Sequence, residues 1–448
     1  MSEAGDPLDS LPTAILADVL GRVADAGDLA ASRLASRGLL AASYHCPRVI
    51  LNAAARARRL REGVGGDVGT AFRAAAGNVA SILGPNLRSL AVDASEGQGI
   101  PDDAMWVEEG EYDDGDDLHL TSRESVASWA ATAAGPALRE VDIADFWPQS
   151  CWRNAEALPV ISNFCHNLVK LRLRNAWLTV VGLKIMPNLT HLALEFIRLD
   201  DEDLTTLNRC FPCVEILNLI GVGGLKDPKI HLPQLKTCCW EVSKFPRSLA
   251  IHAPKLVYLE LKCVRPEILI LDIPSVSTLK LTIDKLSPTV QVDGLVSLTN
   301  LRLESLDLTS LLQLFTSGRN IRTLELELPV SADCRDLYDA VEPDYLVQLF
   351  ARTTEVKLSP RFSCQLMRFI VMVHTSYEFT RCLKKLLVHL PPSGITACPF
   401  VPLLNNCAPS CEVTVLFHAD SSVAFRQASA SDWPLAFPDI TWQWDTWQ

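Results

Sequence analysis

The sequence predicts an α/β fold in which a three-helix block precedes a curved, repetitive parallel sheet. Short apolar motifs of the form L-x-x-L-x-L recur along most of the 448-residue chain, and a proline stands two places before the leading residue of seven of them. Before the repeats begin, apolar residues instead recur at the three- and four-residue spacing of a helix. The chain is long enough for one small domain joined to an extended array.

Composition narrows the classes of function and compartment. With 48% hydrophobic residues the chain can bury a core, whereas its net charge of -12 disfavours nucleic acid as the principal partner. No apolar run is long enough to span a bilayer, and the acidic N-terminus lacks the features of a secretory signal. The 14 cysteines are scattered along a chain too large to need disulfide staples. We therefore expect a protein of the nucleus or cytoplasm, with protein partners and no membrane partner.

Residues 8–45 are expected to form a compact helical block. Pro12 suits the first turn of the first helix, where its missing N–H would have no partner. That helix carries five apolar residues along one stripe: Ile15, Leu16, Val19, Leu20 and Val23. Asp28 is expected to cap a second helix, which carries Leu29 and Leu34. A block of about forty residues cannot bury a sufficient core alone, so we expect it to bind an apolar partner.

Five short segments of this block carry a family resemblance: Leu11-Pro12, Ile15-Leu16, Val19-Leu20, Asp28-Leu29 and Leu34-Ala35-Ser36-Arg37. Together they resemble the F-box, whose helices in that family dock on a Skp-family adaptor tied to a cullin. The resemblance implies eight adaptor-binding residues: Leu11, Pro12, Ile15, Leu16, Val19, Leu20, Leu29 and Leu34. The alternative is that the block is an ordinary helical cap, which a repeat array needs at its ends.

Two segments are expected to connect elements rather than to carry function. Residues 46–83 are interpreted as a linking helix over 47–62, rich in alanine and arginine, followed by a glycine-rich linker. That linker, GVGGDVG at 63–69, lacks the lysine of a phosphate-binding loop. The N-terminal residues 1–7 are expected to be flexible.

The recurring motifs have the period of leucine-rich repeats. Their leading residues are Leu168, Leu189, Val214, Leu235, Leu256, Val276, Leu298 and Ile321. Successive leading residues stand 20 to 25 positions apart, which is the spacing of that architecture. The preceding prolines are Pro85, Pro136, Pro187, Pro212, Pro233, Pro254 and Pro274. Proline fixes φ and has no N–H to donate, so it suits the entry to a strand. We expect an array of repeats over residues 84–416.

Two segments depart from the repeat period. Residues 93–124 form an acidic insertion between the motifs led by Leu87 and Leu138, and dense like charge predicts a mobile loop. Recruitment of a basic partner is the alternative. Residues 417–448 are rich in tryptophan and are expected to cap the last repeat by covering its core. The alternative is that they anchor a partner, since tryptophan is frequent at interface hot spots.

The sequence contains no pattern typical of an active site or a metal site. Nucleophile-elbow, H-E-x-x-H, EF-hand and Walker patterns are absent. Cys210-Phe211-Pro212-Cys213 has C-x-x-C spacing but lacks a second pair of ligands nearby, so ordinary repeat packing is the better interpretation. We expect no enzyme activity, no catalytic residue, no metal and no cofactor.

Alternation along the repeat strands predicts a binding surface. Leucines would point into the core, and the residues between them would face the concave side of the sheet. The predicted target-binding residues are Lys170, Arg172, Arg174, His191, Glu195, Tyr258, Glu260, Lys280, Arg302 and Glu325. The cluster of Lys170, Arg172 and Arg174 predicts a basic early end, which would orient a target of opposite charge.

Combined with the F-box, the array resembles the plant-type F-box and leucine-rich-repeat proteins. The resemblance implies the substrate-recognition subunit of an SCF-type ubiquitin ligase, which binds a Skp-family adaptor, a cullin through that adaptor, and a target protein that the sequence does not identify. Two alternatives stay open. One is a repeat scaffold unconnected with ubiquitin, and the other is an F-box receptor that senses a small molecule.

Overall fold

The computed structural model describes residues 11–52, 68–95, 119–145, 153–242, 246–263, 266–283, 289–293, 295–305, 308–315, 320–327, 353–359, 383–390, 404, 407–408 and 410–447. The predicted flexible N-terminus and the acidic residues 96–118 lie outside these ranges. The chain divides into two compact units, Met1–Leu225 and Lys226–Gln448. No helix in the described ranges has the length and apolar character needed to cross a membrane.

The first unit begins with three helices and continues as strands joined by further helices. In chain order its elements are α1 (Thr13–Val23), α2 (Ala26–Ala35), α3 (Arg37–Ser43), β1 (Arg48–Asn52), α4 (Val68–Leu83), β2 (Ser89–Asp93), α5 (Arg123–Ala130), β3 (Glu140–Ala144), β4 (Asn154–Ala155), α6 (Ala157–Phe164), β5 (Lys170–Leu178), β6 (His191–Arg198), α7 (Asp201–Cys210) and β7 (Ile216–Val222). Strands β1, β2, β3, β5, β6 and β7 pair in that order into one parallel sheet, and β4 pairs with β5. Helix α4, which begins inside the predicted glycine-rich linker, packs against α5.

The helical block is held together by an N-cap and a small apolar core. The Asp25 carboxylate accepts hydrogen bonds from the backbone N–H groups of Gly27 and Asp28, at 2.9 and 3.0 Å. Asp25 therefore caps α2, and the expectation that Asp28 does so is wrong, because Asp28 lies inside the helix. Leu16 and Leu20 of α1 are buried, and α1 packs on α3.

The sheet begins earlier than the sequence indicated. Arg48–Asn52, expected to start a linking helix, is strand β1, with Val49 and Leu51 buried. β1 pairs with β2, and the backbone N–H of Ile50 donates to the carbonyl of Ala24 at 2.7 Å. Burial of alternate residues with β-branched neighbours favours a strand here, although the following sequence is rich in alanine. The helical block is thus joined directly to the sheet.

The leading residues of the repeat motifs are wholly buried in both units: Leu87, Leu138, Leu168, Leu189 and Val214 in the first, and Leu235, Leu256, Val276, Leu298 and Ile321 in the second. Along most of the strands every second residue is buried, as with Leu171 and Leu173 of β5 beside Leu192 and Leu194 of β6. A parallel register repeated from strand to strand keeps the apolar residues on one face. The predicted α/β fold with a repetitive parallel sheet is confirmed.

The second unit contains two parallel sheets. Its elements in chain order are β8 (Lys229–His231), β9 (Thr237–Val242), β10 (Ser248–His252), β11 (Tyr258–Cys263), β12 (Ile268–Asp272), β13 (Thr278–Ile283), β14 (Thr289–Asp293), β15 (Asn300–Glu304), α8 (Leu308–Gln313), β16 (Thr323–Glu327), β17 (Glu355–Leu358), β18 (Lys385–Leu390), β19 (Glu412–His418), α9 (Val423–Ala436) and β20 (Thr441–Trp447). The longer sheet has the order β9-β11-β13-β15-β16-β17-β18-β19-β20, and the shorter sheet has the order β8-β10-β12-β14. Leu249 and Leu269 of the shorter sheet are fully buried, so its strands contribute to the core.

The tryptophan-rich tail forms α9 and the last strand. Trp442 and Trp444 of β20 stack with their ring centroids 5.3 Å apart, and Trp433 of α9 lies 5.8 Å from Trp444. Phe417 of β19 also stacks on Trp444, with the two ring centroids 5.8 Å apart. These aromatic rings pack against one another where β20 ends the strand order of the longer sheet.

Candidate functional site

One side of α1 exposes a row of apolar side chains. Leu11 precedes the helix, and Ile15, Val19 and Val23 recur every four residues along it, each 42 to 50% exposed. Residues four apart lie on the same side of a helix, so we name these four residues the hook surface. Pro12 is exposed at the start of the same helix. An apolar row of this kind marks a protein-binding site more often than single scattered residues do.

Three of the predicted adaptor-binding residues are buried instead of exposed. Leu16, Leu20 and Leu29 are only 3, 2 and 7% exposed. The predicted stripe on α1 splits because the helix has two apolar sides, of which one packs inside the block and the other is open. Leu16, Leu20 and Leu29 therefore stabilise the block from within, and this corrects the expectation that they contact a partner directly.

Leu34 lies outside the hook surface and lines an apolar groove of about 510 Å³. The groove is lined by residues of α2, α3, β1 and α4, among them Leu34, Leu40 and Ile82. Leu34 is 90% exposed, and the other two are 36 and 46% exposed. The helical block thus has two open apolar areas, the hook surface on α1 and this groove.

On the long sheet of the first unit, the predicted basic cluster is neutralised by acidic partners. Lys170 Nζ lies 2.9 Å from Glu140 Oε1, and Arg172 forms two hydrogen bonds of 2.9 Å with the Glu195 carboxylate. Arg174 Nε donates to Glu195 Oε2 at 3.0 Å. Glu140 of β3 is the register partner of Lys170, and Glu195 of β6 is the register partner of Arg174. The expectation of a basic early end is therefore wrong, because each of the three cations has a carboxylate on an adjacent strand.

Glu195 is the centre of this network and is only 8% exposed. Burial raises the pKa of its carboxyl, but the hydrogen bonds and charges of Arg172 and Arg174 outweigh burial and hold that pKa below its ordinary value. The hydrogen bond to Glu195 in turn raises the pKa of Arg172. A depression of about 260 Å³ lies beside the network, and His191 is part of its lining.

The longer sheet of the second unit repeats this pairing of charges. Tyr258 Oη donates to Glu260 Oε2 at 2.6 Å, and Lys280 Nζ lies 3.4 Å from the same oxygen. Burial raises the pKa of Glu260, but Tyr258 and Lys280 together lower it overall. Arg302 Nε lies 3.4 Å from Glu325 Oε1. The predicted residues of each unit therefore share a face of mixed charge, and their role in binding a target stays a prediction.

Three neighbouring strands of the first unit carry a left-handed residue at equivalent positions. The φ angles are 60° at Asn175, 52° at Phe196 and 61° at Gly221. Glycine adopts this conformation at no cost and asparagine tolerates it, whereas a phenylalanine there is unusual. The Phe196 ring lies over Gly221, where a Cβ atom would stand 2.7 Å from the ring Cδ1. Beyond this column the alternation resumes, with Ile197 buried.

A stacked pair that the sequence analysis did not identify follows this column. The guanidinium carbon of Arg198 lies 4.4 Å from the centroid of the Trp177 ring, and the two residues are register partners on β5 and β6. Phe196 and Arg198 are both exposed and flank the buried Ile197, so they project from the same side of β6. Phe196 and Ile197 are adjacent apolar residues in the sequence, so the alternation of polar and apolar residues alone does not place Phe196 on the exposed side.

The cysteine pair of the C-x-x-C segment has no metal-site geometry. Within the part of the chain that the structure describes, no group of three or more His, Cys, Asp or Glu side chains is arranged to hold a metal ion. Cys210 is buried, Cys213 is half-buried, and both are free thiols. Cys210 Sγ lies 3.8 Å from the carbonyl oxygen of Leu183, so it packs as part of the repeat.

No protein-family model matches the chain. An F-box/LRR-repeat protein of Arabidopsis thaliana is 33% identical over 457 aligned positions, which cover 98% of this chain and 98% of that protein. The likeness therefore includes the helical block and both repeat units. The N-terminal helices, the parallel register and the buried leading residues of each repeat agree with it. On this evidence of sequence and fold, the chain belongs to the F-box/LRR-repeat family.

Proposed function

We propose that this chain is the target-recognition subunit of an SCF-type ubiquitin ligase in the nucleus or cytoplasm. The helical block docks on a Skp-family adaptor, a cullin joins through that adaptor, and the repeats bind a target protein. F-box/LRR-repeat proteins are generally adaptors rather than enzymes, so the proposal assigns no catalytic step and no cofactor to the chain. The target contacts fall on the faces of the long sheets that carry the charged residues.

The hook surface is the observation that carries this proposal. Its four apolar side chains stay 42 to 50% exposed although the opposite side of α1 is buried. Covering a half-exposed side chain of this size contributes about 1 kcal/mol, so the row as a whole supports a stable docking contact. A helical cap that served only the repeats would turn this row toward them, which the first unit does not do.

The test is co-purification of a Skp-family adaptor with the full-length chain. Val19→Glu should weaken adaptor binding by about a hundredfold or more, because a carboxylate would be buried at an apolar contact without a partner. Val19 is 49% exposed, so the variant should melt at the temperature of the wild-type protein. The matched control is Ala14→Glu, which adds the same charge at an exposed position on another side of α1.

Unchanged adaptor binding by Val19→Glu would overturn the docking surface. Failure of the wild-type chain to bind any Skp-family adaptor would leave a repeat scaffold unconnected with ubiquitin. In cells, Val19→Glu should also raise the abundance of bound targets, because it uncouples target binding from the ligase. Quantitative proteomics of cells that carry Val19→Glu or Ala14→Glu measures this effect.

A further inference from the structure

We propose that Trp177, Phe196 and Arg198 form a hot spot that binds an extended target segment through one carboxylate and one neighbouring apolar side chain. This proposal rests on the proposed function, since it names the part of the repeat surface that receives the target. We name these three residues the aromatic-arginine site.

The first argument is the charge of Arg198. On the same sheet Lys170, Arg172 and Arg174 each lie within ion-pair distance of a carboxylate. Arg198 is exposed, and among the described residues its guanidinium stacks on the Trp177 ring without a carboxylate at ion-pair distance. Stacking on an aromatic face holds a guanidinium in place and leaves its edge of N–H donors open. That planar fork matches the two oxygens of a carboxylate.

The second argument is the backbone of Phe196. An aromatic residue with φ of 52° is strained by about 1 to 2 kcal/mol, yet its side chain is 45% exposed. Asn175, at the equivalent position of the preceding strand, has the same backbone conformation without the ring. A strained residue that presents an apolar ring to solvent favours a role in binding rather than in folding. Tryptophan and arginine, its two neighbours in the site, are the residue types most enriched at interface hot spots.

The third argument is the bare backbone beside the site. Gly221 lies under the Phe196 ring, and Gly223 pairs with Arg198 as an isolated bridge. The residue between the two glycines, Val222, is buried. The Phe196 ring covers Gly221, but Gly223, directly after β7, carries no side chain, so the backbone of a partner can approach closely beside Arg198.

The spacing of the site indicates the form of the partner. Phe196 and Arg198 stand two residues apart on one strand, which is about 7 Å. An extended partner has the same distance between side chains at positions i and i+2. We therefore assign to the target an extended segment with a large apolar residue two positions from an Asp or Glu.

A carboxylate fits this site better than a phosphate group does. Glu195 precedes Phe196, and Asp142 lies on the same face, 3.5 Å from Arg172. These carboxylates already pair with Arg172 and Arg174, so among the described residues of the site Arg198 alone is left to bind an anion. A doubly charged phosphate generally takes more than one cation, whereas a singly charged carboxylate matches the fork of one guanidinium.

The test is a selection of short unmodified peptides from a random displayed library on the immobilised full-length chain. The recovered peptides should share an Asp or Glu two positions from a large apolar residue. One recovered sequence is then synthesised with Glu, Gln, Lys or phosphoserine at the acidic position. Replacing Glu by Gln in the peptide, or Arg198→Gln in the protein, should weaken binding by about tenfold or more.

Two protein variants separate binding from folding. Arg198→Glu should lose the Glu peptide and bind the Lys peptide, since the charge pair is restored in reverse. Phe196→Asn copies Asn175 of the preceding strand and relieves the backbone strain, so it should keep or raise the melting temperature and weaken peptide binding by about tenfold. Arg209→Gln, in the last turn of α7, is the control and should bind the Glu peptide as the wild-type protein does.

The proposal is overturned if the recovered peptides share no acidic position, if Arg198→Gln binds them unchanged, or if the phosphoserine peptide binds more tightly than the Glu peptide. Adaptor co-purification, measured on the same protein samples, tests the proposed function separately. A chain that binds its adaptor but shows no dependence on Arg198 is a receptor with its target site elsewhere. A chain that binds the peptides but no adaptor keeps the aromatic-arginine site and loses the ligase function.

Discussion

Arg172 and Glu195 are joined by two parallel hydrogen bonds of 2.9 Å, from Nε to Oε1 and from Nη2 to Oε2, between β5 and β6. Arg174 donates to the same carboxylate. A bidentate pair of this kind holds both side chains in a defined geometry. The network therefore ties neighbouring repeats together, and it leaves little net charge there to steer a target.

Glu195→Gln should lower the free energy of unfolding at neutral pH by about 2 kcal/mol, since the two guanidinium groups lose their charged acceptor. The folded-state pKa of Glu195 is lowered, so its stabilisation is present above the unfolded-state pKa and is lost as the pH falls through the folded-state pKa. Urea unfolding of both proteins at a series of pH values should therefore show a difference that shrinks toward acid pH.

Glu412→Gln is the control for this experiment. Its partner Lys385 lies 3.3 Å away, but the two side chains are 45 and 63% exposed, so the loss of this pair should change stability little. A difference between Glu195→Gln and the wild type that persisted at strongly acid pH would contradict the role of the carboxylate charge.

Leu16→Ala should destabilise the helical block by about 2 to 5 kcal/mol, because Leu16 is 3% exposed and its loss leaves a cavity. Ile15→Ala, on the same helix and 50% exposed, should cost far less stability and weaken adaptor binding more directly. Thermal melting and adaptor pull-down of the two variants measure both effects. The opposite ranking in stability would show that α1 packs with its other side inward.

Gly221→Ala should lower the free energy of unfolding by about 1 to 3 kcal/mol, because alanine is strained at a φ of 61° and its Cβ would stand 2.7 Å from the Phe196 ring. Gly182→Ala is a matched control, since Gly182 has a φ of 83° with no atom within 4 Å of the added Cβ. The difference between the two variants isolates the contact with the ring. Combining Gly221→Ala with Phe196→Asn should remove that difference in urea unfolding.

Asp25→Ala should lower the stability of the helical block by about 1 kcal/mol, because two N–H groups at the start of α2 lose their acceptor. Asp18→Ala is the control, since its ion pair with Arg22 joins side chains that are 65 and 80% exposed. Thermal melting followed by circular dichroism measures both variants. Equal melting temperatures for the two would show that the cap contributes nothing.

The repeat architecture could be predicted because its signal recurs. Every leading residue from Leu168 to Ile321 that the motif spacing identified is fully buried. The shorter sheet of the second unit escaped prediction although its strands alternate, as in S-L-A-I-H around Leu249 and I-L-I-L-D around Leu269. These strands fall between the motifs, where leucine-rich repeats vary, so the main period did not indicate them.

The binding surfaces were harder to predict because they depend on which residues become neighbours. Helical spacing put Ile15 and Leu16 on one stripe, but only the packing of α1 decides that Leu16 is inside. The basic cluster looked uncompensated because Glu140 belongs to a motif outside the regular period, while its register position beside Lys170 follows only from strand pairing. Register, rather than composition, determines the charge of such a face.

The hydrogen bond between Ile50 and Ala24 joins the helical block to the first strand of the first unit's sheet. From β1 to β6 the sheet spans four steps between neighbouring strands, about 19 Å in all. If the chain has the proposed function, the number of strands sets the distance between the adaptor and a target segment bound at Arg198. That distance would then determine which lysines of the target come within reach of the ubiquitin-loaded enzyme. Adding one repeat between β1 and β6 would shift the modified lysines along the target by one strand spacing.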